Sequence, residues 1–170
     1  MKEYKLPIGC DVPETIILAD GDFPSHPLAL EWLRQCPYVV CCDGAANTYI
    51  RSGRMPEAIV GDGDSLLPDI KERYASLIHS EAEQETNDLS KAFRFCLSQE
   101  RKRITIMGAT GKREDHTIGN VSLLADYMEQ AEVSMMTDYG IFVPIREDSM
   151  FESYIGQQIS VFPVAPMIVI

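Results

Sequence analysis

The sequence predicts an α/β fold, a doubly wound parallel sheet covered by helices on both sides, and three observations predict it. Short apolar runs rich in β-branched residues recur up to residue 107, segments with helical periodicity separate them, and the connections are brief and punctuated by glycine and acid. Taken in order, TIILA at 15–19 reads as a buried strand, and 27–36 carries helical patterning. YVVCC at 38–42 is the next strand and 45–53 the next helix. EAIV at 57–60 and SLIH at 76–79 are strands flanking a helix over 66–75. The clearest helix is 87–100, where Leu89, Phe93, Cys96 and Leu97 share one face. ITIM at 104–107 follows, then helical patterning over 115–130.

After about residue 131 the texture changes. EVSMMTD, GIFVPIR, MFESY and QQISVFPV read as short strands joined by turns with no helix between them. Two units are therefore expected, an α/β domain over 1–138 and the start of a β-rich domain over 139–170, with the boundary near Tyr139–Gly140. The chain length suits one main core with a small second unit.

Composition narrows the function classes. With 45% hydrophobic and 24% charged residues the chain has an ordinary globular balance, and no apolar run reaches the ~20 residues of a membrane span. The first residues, MKEYKLPIGCDVPE, lack the apolar stretch of a secretory signal, so a cytoplasmic location is expected. A net charge of −11 repels a phosphate backbone and argues against nucleic-acid binding, whereas small nucleotides travel as magnesium complexes. The five cysteines, Cys10, Cys36, Cys41, Cys42 and Cys96, lack paired CxxC spacing and read as reduced thiols.

In open α/β sheets ligands bind beyond the carboxyl ends of the strands. Here those ends carry Asp20-Gly21-Asp22, Asp43-Gly44-Ala45-Ala46-Asn47, Gly61-Asp62-Gly63-Asp64-Ser65 and Gly108-Ala109-Thr110-Gly111, so acids and glycines converge on one rim. Asp62 and Asp64, either side of a glycine, can present two carboxylates to a hard cation such as magnesium. The competing reading is an acidic turn in which Asp64 or Ser65 caps the helix from 66.

In EQETNDLSK at 83–91, Thr86 or Asn87 is the predicted cap, and Asp88 and Lys91 project from the same side of the first turn. They read either as a metal ligand with a phosphate contact or as a surface ion pair. GATGKREDHTIGN at 108–120 is a glycine turn ahead of a helix start, suited to approaching an anion, with Lys112 and Arg113 adding charge. It is neither GxxxxGK[ST] nor GxGxxG. His116 and Asn120 are four apart, and His116 reads equally as structural or as a ligand contact.

ILADGDFP, CDGAAN, GDGDS, EQETNDLSK and GATGKREDHTIGN resemble, in order and spacing, the successive motifs of the thiamine pyrophosphokinase family across residues 16–120, and GIFVPIREDSMFESYIGQQISVFPV resembles the beginning of its smaller β domain. The resemblance implies a Rossmann-like catalytic domain followed by a β-sandwich, a homodimer, and transfer of pyrophosphate from ATP to thiamine with Mg2+. Carried over by motif, Asp62, Asp64 and Asp88 bind magnesium with Asp43 nearby, and Lys91 and Arg113 meet phosphate oxygens. Gln84, Thr86 and Asp115 help position ATP or thiamine, and Gly21, Gly44, Asn87, Gly108, Gly111 and His116 complete the nucleotide side. Asp43, Asp88 and Asp115 are the candidate bases. Asp20 stands where the family more often has asparagine, and the stop at Ile170 leaves the β domain short, as expected of a fragment or of a natural short form. Two rival readings carry weight: a haloacid-dehalogenase-like phosphatase, whose DxDx[TV] loop GDGDS distantly resembles, and a non-catalytic nucleotide- or thiamine-sensing module.

Overall fold

The computed structural model describes residues 1–7, 11–81 and 85–163. The elements in chain order are β1 (Lys2–Tyr4), β2 (Thr15–Leu18), α1 (Pro27–Gln35), β3 (Val39–Cys42), α2 (Ala45–Arg51), β4 (Ala58–Val60), α3 (Pro68–Arg73), a 3-10 turn (Ala75–Leu77), β5 (Ile78–His79), α4 (Asp88–Ser98), β6 (Arg103–Met107), α5 (Glu114–Tyr127), β7 (Glu132–Met136), β8 (Ile141–Phe142) and β9 (Ser149–Phe151). The main sheet has the order β5-β4-β3-β2-β6-β7-β8, parallel except for β8. From β2 the chain winds outward through β3, β4 and β5, then returns to the other side of β2 to lay down β6 and β7. The order therefore reverses between β2 and β6, and a crevice opens there at the strands' carboxyl ends.

Strand alternation distributes the core between two layers. Ile16, Leu18, Val39, Cys41 and Ile59 face Ala29, Trp32 and Leu33 of α1, Ala45, Ala46 and Tyr49 of α2, and Ile70 of α3. Ile17, Val40, Cys42, Ala58 and Val60, with Ile104, Ile106, Val133 and Met135, face Leu89, Ala92, Phe93 and Cys96 of α4 and Leu124 and Tyr127 of α5. The runs carry apolar side chains on both faces because both faces are covered, as the sequence predicts. Cys41, Cys42 and Cys96 are buried free thiols, and burial pushes their ionisation well up, to about 12 for Cys96, so they pack as small apolar groups. Cys10 lies outside the described residues. No helix among the described residues is long and apolar enough to cross a membrane.

Each predicted helix is present, most of them shorter at one or both ends than the pattern suggests. The strand expected over 76–79 is largely a 3-10 turn, with only Ile78 and His79 paired to β4. β8 hydrogen-bonds to β7 in antiparallel register, Met135 to Phe142 and Met136 to Ile141, so the turn at Tyr139–Gly140 joins two strands of the main sheet. MFESY supplies β9, which pairs in parallel with β1 and stacks Phe151 on Tyr4 at 4.6 Å. The ISVF segment, expected as a strand, carries none, and Ile159, Val161 and Phe162 are exposed.

The start of α1 is tied to the end of β7 by Asp138, whose carboxylate accepts from the Ser25 and His26 backbone N–H groups, both at 2.9 Å, and from Ser25 Oγ at 2.5 Å. The Ser25 hydroxyl and the two amides hold the Asp138 carboxyl below its usual range. Asp138→Ala is expected to destabilise the protein by about 1 kcal/mol, the scale of a lost helix cap, measured by urea unfolding at neutral pH.

Candidate active site

The rim is built by loops that approach more closely than side chains allow. Ala19, Gly21 and Asp22 donate backbone hydrogen bonds to Met107, Gly108 and Thr110 at 2.8, 2.6 and 2.9 Å, zipping the loop after β2 to the loop after β6. A Cβ on Gly21 would come inside 3.0 Å of the carbonyl oxygens of Gly108 and Thr110, so glycine is required by proximity. At Gly111, φ is 78° and a Cβ would strike the Asp22 carboxylate, so conformation and space both require glycine. Gly44, at the cap of α2, lies under the Asp20 carboxylate, and Gly108 turns the chain at the end of β6 with φ 66°.

Asp43 follows β3 in a left-handed conformation, φ 33°, and is 4% exposed. Its Oδ2 accepts from the Ser65 N–H at 3.2 Å, while Oδ1 is buried with no hydrogen-bond partner among the described residues. Burial, opposed by the Ser65 amide and reinforced by the nearby negative charges of Asp88 and Asp62, pushes its carboxyl up to about 6. Asp62 is exposed, and its carboxyl is held below the usual range, chiefly by the Asp64 N–H donating to Oδ1 at 3.0 Å. Asp64 is also exposed; its backbone rather than its carboxylate holds Asp62. Asn47 from α2 closes this loop, donating to the Ser65 carbonyl at 2.8 Å and accepting from the Leu67 N–H at 3.0 Å. Neither Asp64 nor Ser65 caps α3, whose cap position is Leu67.

The raised pKa of Asp43 makes a stability prediction for metal-free protein. Between its ordinary value of 3.8 and about 6, the folded state holds a proton that the unfolded state has released, so stability falls as pH rises through that window and levels off above it. Asp43→Asn removes this penalty and keeps an acceptor for Ser65. The variant is expected to match the parent near pH 4 and to exceed it above pH 6 by about 1 to 2 kcal/mol, after discounting for solvent screening, in urea unfolding with EDTA.

Of the two predicted caps, Thr86 and Asn87, Asn87 is the one that caps α4, its Oδ1 accepting from the Ser90 N–H at 2.9 Å. Its Nδ2 donates to Asn120 Oδ1 at 3.1 Å, and Asn120 Nδ2 donates to the Ala109 carbonyl at 2.8 Å. This relay fixes the starts of α4 and α5 against the β6 loop. Lys91 is 6% exposed, and its ammonium meets Asp88 Oδ1 at 3.4 Å. A lysine buried to this degree is not an ordinary solvated surface partner. Thr86 accepts from Arg94 at 3.0 Å, and Gln84 lies outside the described residues.

On the far side of the crevice, Lys112 reaches the Asp20 carboxylate at 3.2 Å and Arg113 grips Asp115 at 2.6 Å. The Arg113 guanidinium holds Asp115 below the usual carboxylate range. His116 is exposed, whereas Asn120, on the same helical face by spacing, is buried. A cleft beside the switch point is lined by Asp22, Gly108, Thr110, Met136, Asp138 and Tyr139. Asp138 was not among the expected site residues; an acid at the carboxyl end of β7 was its one signal.

The predicted motifs thus come together on one rim, with one revision. Among the described residues no three His, Cys, Asp or Glu side chains are gathered closely enough to hold a metal ion by themselves. Asp62, Asp64 and Asp88 therefore do not form a ready cage, and the acid set against Asp62 and Asp88 is Asp43.

Comparison with known proteins agrees with this architecture. Residues 29–136, more than half of the chain, match the family described as thiamin pyrophosphokinase, catalytic domain. Thiamine pyrophosphokinase 1 of Oryza sativa subsp. japonica is 30% identical over 129 residues, 61% of this chain and 49% of that protein. The thiamin pyrophosphokinase from Geobacillus thermodenitrificans superposes with a TM-score of 0.59 at 26% identity, covering 72% of this chain and 58% of that one. The yeast thiamin pyrophosphokinase structure gives a TM-score of 0.63 at 18% identity, covering 80% and 63%, a likeness of fold. The chain spans about half the length of the curated relatives it matches.

Proposed function

This chain belongs to the thiamin pyrophosphokinase family, and we propose that it transfers pyrophosphate from ATP to the hydroxyl of thiamine, giving thiamine diphosphate and AMP. The observation that carries this reading is the buried Oδ1 of Asp43, without a hydrogen-bond partner among the described residues, beside the charged Asp62 and Asp88 on the carboxyl rim of the sheet. Carboxylates set this close are relieved by a cation or a proton, and magnesium is commonly held by one or two protein carboxylates together with phosphate oxygens and water. The donor set fits that mode, with Asp43 and Asp62 as the protein oxygens, Asp64 in the same loop as Asp62 and Asp88 at the start of α4. Bound there, magnesium would neutralise the phosphate charge that repels an incoming hydroxyl.

The chain's own groups do the positioning. The thiamine hydroxyl attacks the β-phosphorus, the bond to the α-phosphate oxygen breaks, and AMP leaves. Lys91, buried at the start of α4, and Arg113, at the start of α5, face developing charge on the phosphates from two sides of the crevice. Of the candidate bases Asp43, Asp88 and Asp115, Asp115 is held low by Arg113, and the raised carboxyl of Asp43 belongs to the metal-free site, since bound magnesium would hold it ionised. Gly21, Gly44, Gly108 and Gly111 let the rim loops pack against one another where the nucleotide would lie, and Thr86, Asn87, Gln84 and His116 border it. Residues 143–163 lead toward the acceptor half, and the enzyme works as a cytoplasmic homodimer.

The test is AMP release from ATP and Mg2+, with and without thiamine. Thiamine-dependent AMP, abolished by EDTA, is expected. Inorganic phosphate released from many esters would point to the phosphatase, and binding without turnover to the sensor.

A further inference from the structure

Lys112 occupies a backbone conformation that favours glycine. Its φ is 56°, directly after Gly111 at 78°, so two successive left-handed residues form the turn ahead of α5. A side chain held in such a conformation at a ligand-facing turn points to a use for that side chain. Its ammonium has three N–H donors. One reaches the Asp20 carbonyl at 3.1 Å and one reaches Asp20 Oδ1 at 3.2 Å, which anchors the nitrogen over the crevice and leaves the third donor without a partner among the described residues. The Asp20 carboxylate is itself placed where three loops meet, its Oδ2 lying against Gly44 and its Oδ1 on Lys112.

A purely structural role for the pair adds little. The loops it connects are already joined by three backbone hydrogen bonds, and Lys112 and Asp20 are 55% and 45% exposed, where an ion pair is weak and exchangeable. Two other cations of the rim are paired with acids in the same way, Lys91 on Asp88 and Arg113 on Asp115. Cations paired in this way meet an anionic ligand by exchanging partners.

We propose that Lys112 is a phosphate-binding residue of this site and that Asp20 is its resident counter-ion, so that ligand phosphate and the Asp20 carboxylate compete for one ammonium and Asp20 sets the affinity for nucleotide. The inference rests on the nucleotide-transfer reading above and adds two residues to it. Asp20→Asn keeps the carbonyl anchor but removes the competing charge, whereas Lys112→Gly removes the ligand cation from a backbone that glycine suits.

The experiment is calorimetric titration of the whole chain with ATP and Mg2+, and separately with inorganic pyrophosphate, for the parent, Asp20→Asn, Lys112→Gly and the double variant, with thermal unfolding of each. Asp20→Asn is expected to bind both ligands about 3- to 5-fold more tightly, on the scale of a weak ion pair, and Lys112→Gly about 10-fold more weakly. In the Lys112→Gly background Asp20→Asn should change affinity by less than about 2-fold, because the competitor acts through Lys112. Lys112→Gly should unfold no earlier than the parent. If both single variants weaken binding, or Lys112→Gly lowers the unfolding temperature, the pair is a loop staple and the inference is overturned. If Asp20→Asn tightens binding equally with and without Lys112, the effect is general charge repulsion and the inference is again overturned. A parent that binds neither ligand overturns the nucleotide reading itself, and this inference with it.

Discussion

Asp62→Asn is expected to lower the rate of thiamine-dependent AMP formation by about 10²- to 10³-fold, the scale of removing one preorganised electrostatic group from a polar transition state. The carboxylate is exposed on the rim, kept ionised by the Asp64 N–H, and stands beside the buried Asp43, whose Oδ1 has no hydrogen-bond partner among the described residues. Asparagine keeps the shape and one acceptor, so the turn should persist while the charge is lost. Asp64→Asn is expected to lose a comparable factor if its carboxylate turns toward the cation; its backbone hydrogen bond to Asp62 survives the change. Steady-state rates at saturating ATP and thiamine and at low magnesium are the measurement. Near-native rates for both variants would leave the GDGDS segment as a mere acidic turn and remove the cation assignment.

The fold was legible because the central strands β2, β3, β4 and β6 are covered on both faces and so read as unbroken apolar runs, and because each of these runs ends in a glycine or acid on the rim. Helix α4 was the clearest, since its cap Asn87 and the buried Leu89, Phe93 and Cys96 are local signals. What escaped depends on distance along the chain. β1 is three residues long, and its partner lies near residue 150, so no periodicity betrays it. The ISVF run looks like a strand by composition, but a strand needs a pairing neighbour, and among the described residues none lies beside it. In the site, the spacing of GDGDS suggested that Asp62 works with Asp64. Alternation does not say which loop packs behind it, and that loop carries Asp43, whose strand-end position was visible but whose burial was not. Likewise Asp88 and Lys91 were readable as an ion pair, whereas the burial that distinguishes Lys91 follows from how α4 lies on the sheet.

Gly21→Ala is expected to damage both stability and catalysis, because the atoms a methyl group would meet are backbone. The new Cβ would fall inside 3.0 Å of the Gly108 and Thr110 carbonyl oxygens, neither of which can turn aside as a flexible side chain would. The loops after β2 and β6 must part, which strains or breaks the bonds from Gly21 to Gly108 at 2.6 Å and from Asp22 to Thr110 at 2.9 Å. Overpacking at about 1 to 3 kcal/mol, with about 0.5 kcal/mol for each of the two weakened hydrogen bonds, gives an expected destabilisation of roughly 2 to 4 kcal/mol. At about 2 to 4 °C per kcal/mol for a chain of this size, the unfolding midpoint should fall by roughly 5 to 15 °C. Parting these loops also moves Asp20, Asp22 and the Gly111–Arg113 turn relative to Asp43, and a displacement near 1 Å at a transfer site costs on the order of 10²-fold in rate. Gly119→Ala is the control. It lies in α5 with nothing within 4 Å of the added carbon, so helix propensity should raise stability by about 0.5 to 1 kcal/mol. Both variants are compared by thermal unfolding and by AMP release. A Gly21→Ala protein with parental midpoint and rate would mean that the two loops are not held together as tightly as their hydrogen bonds indicate, and that the crevice at the switch point tolerates a wider rim.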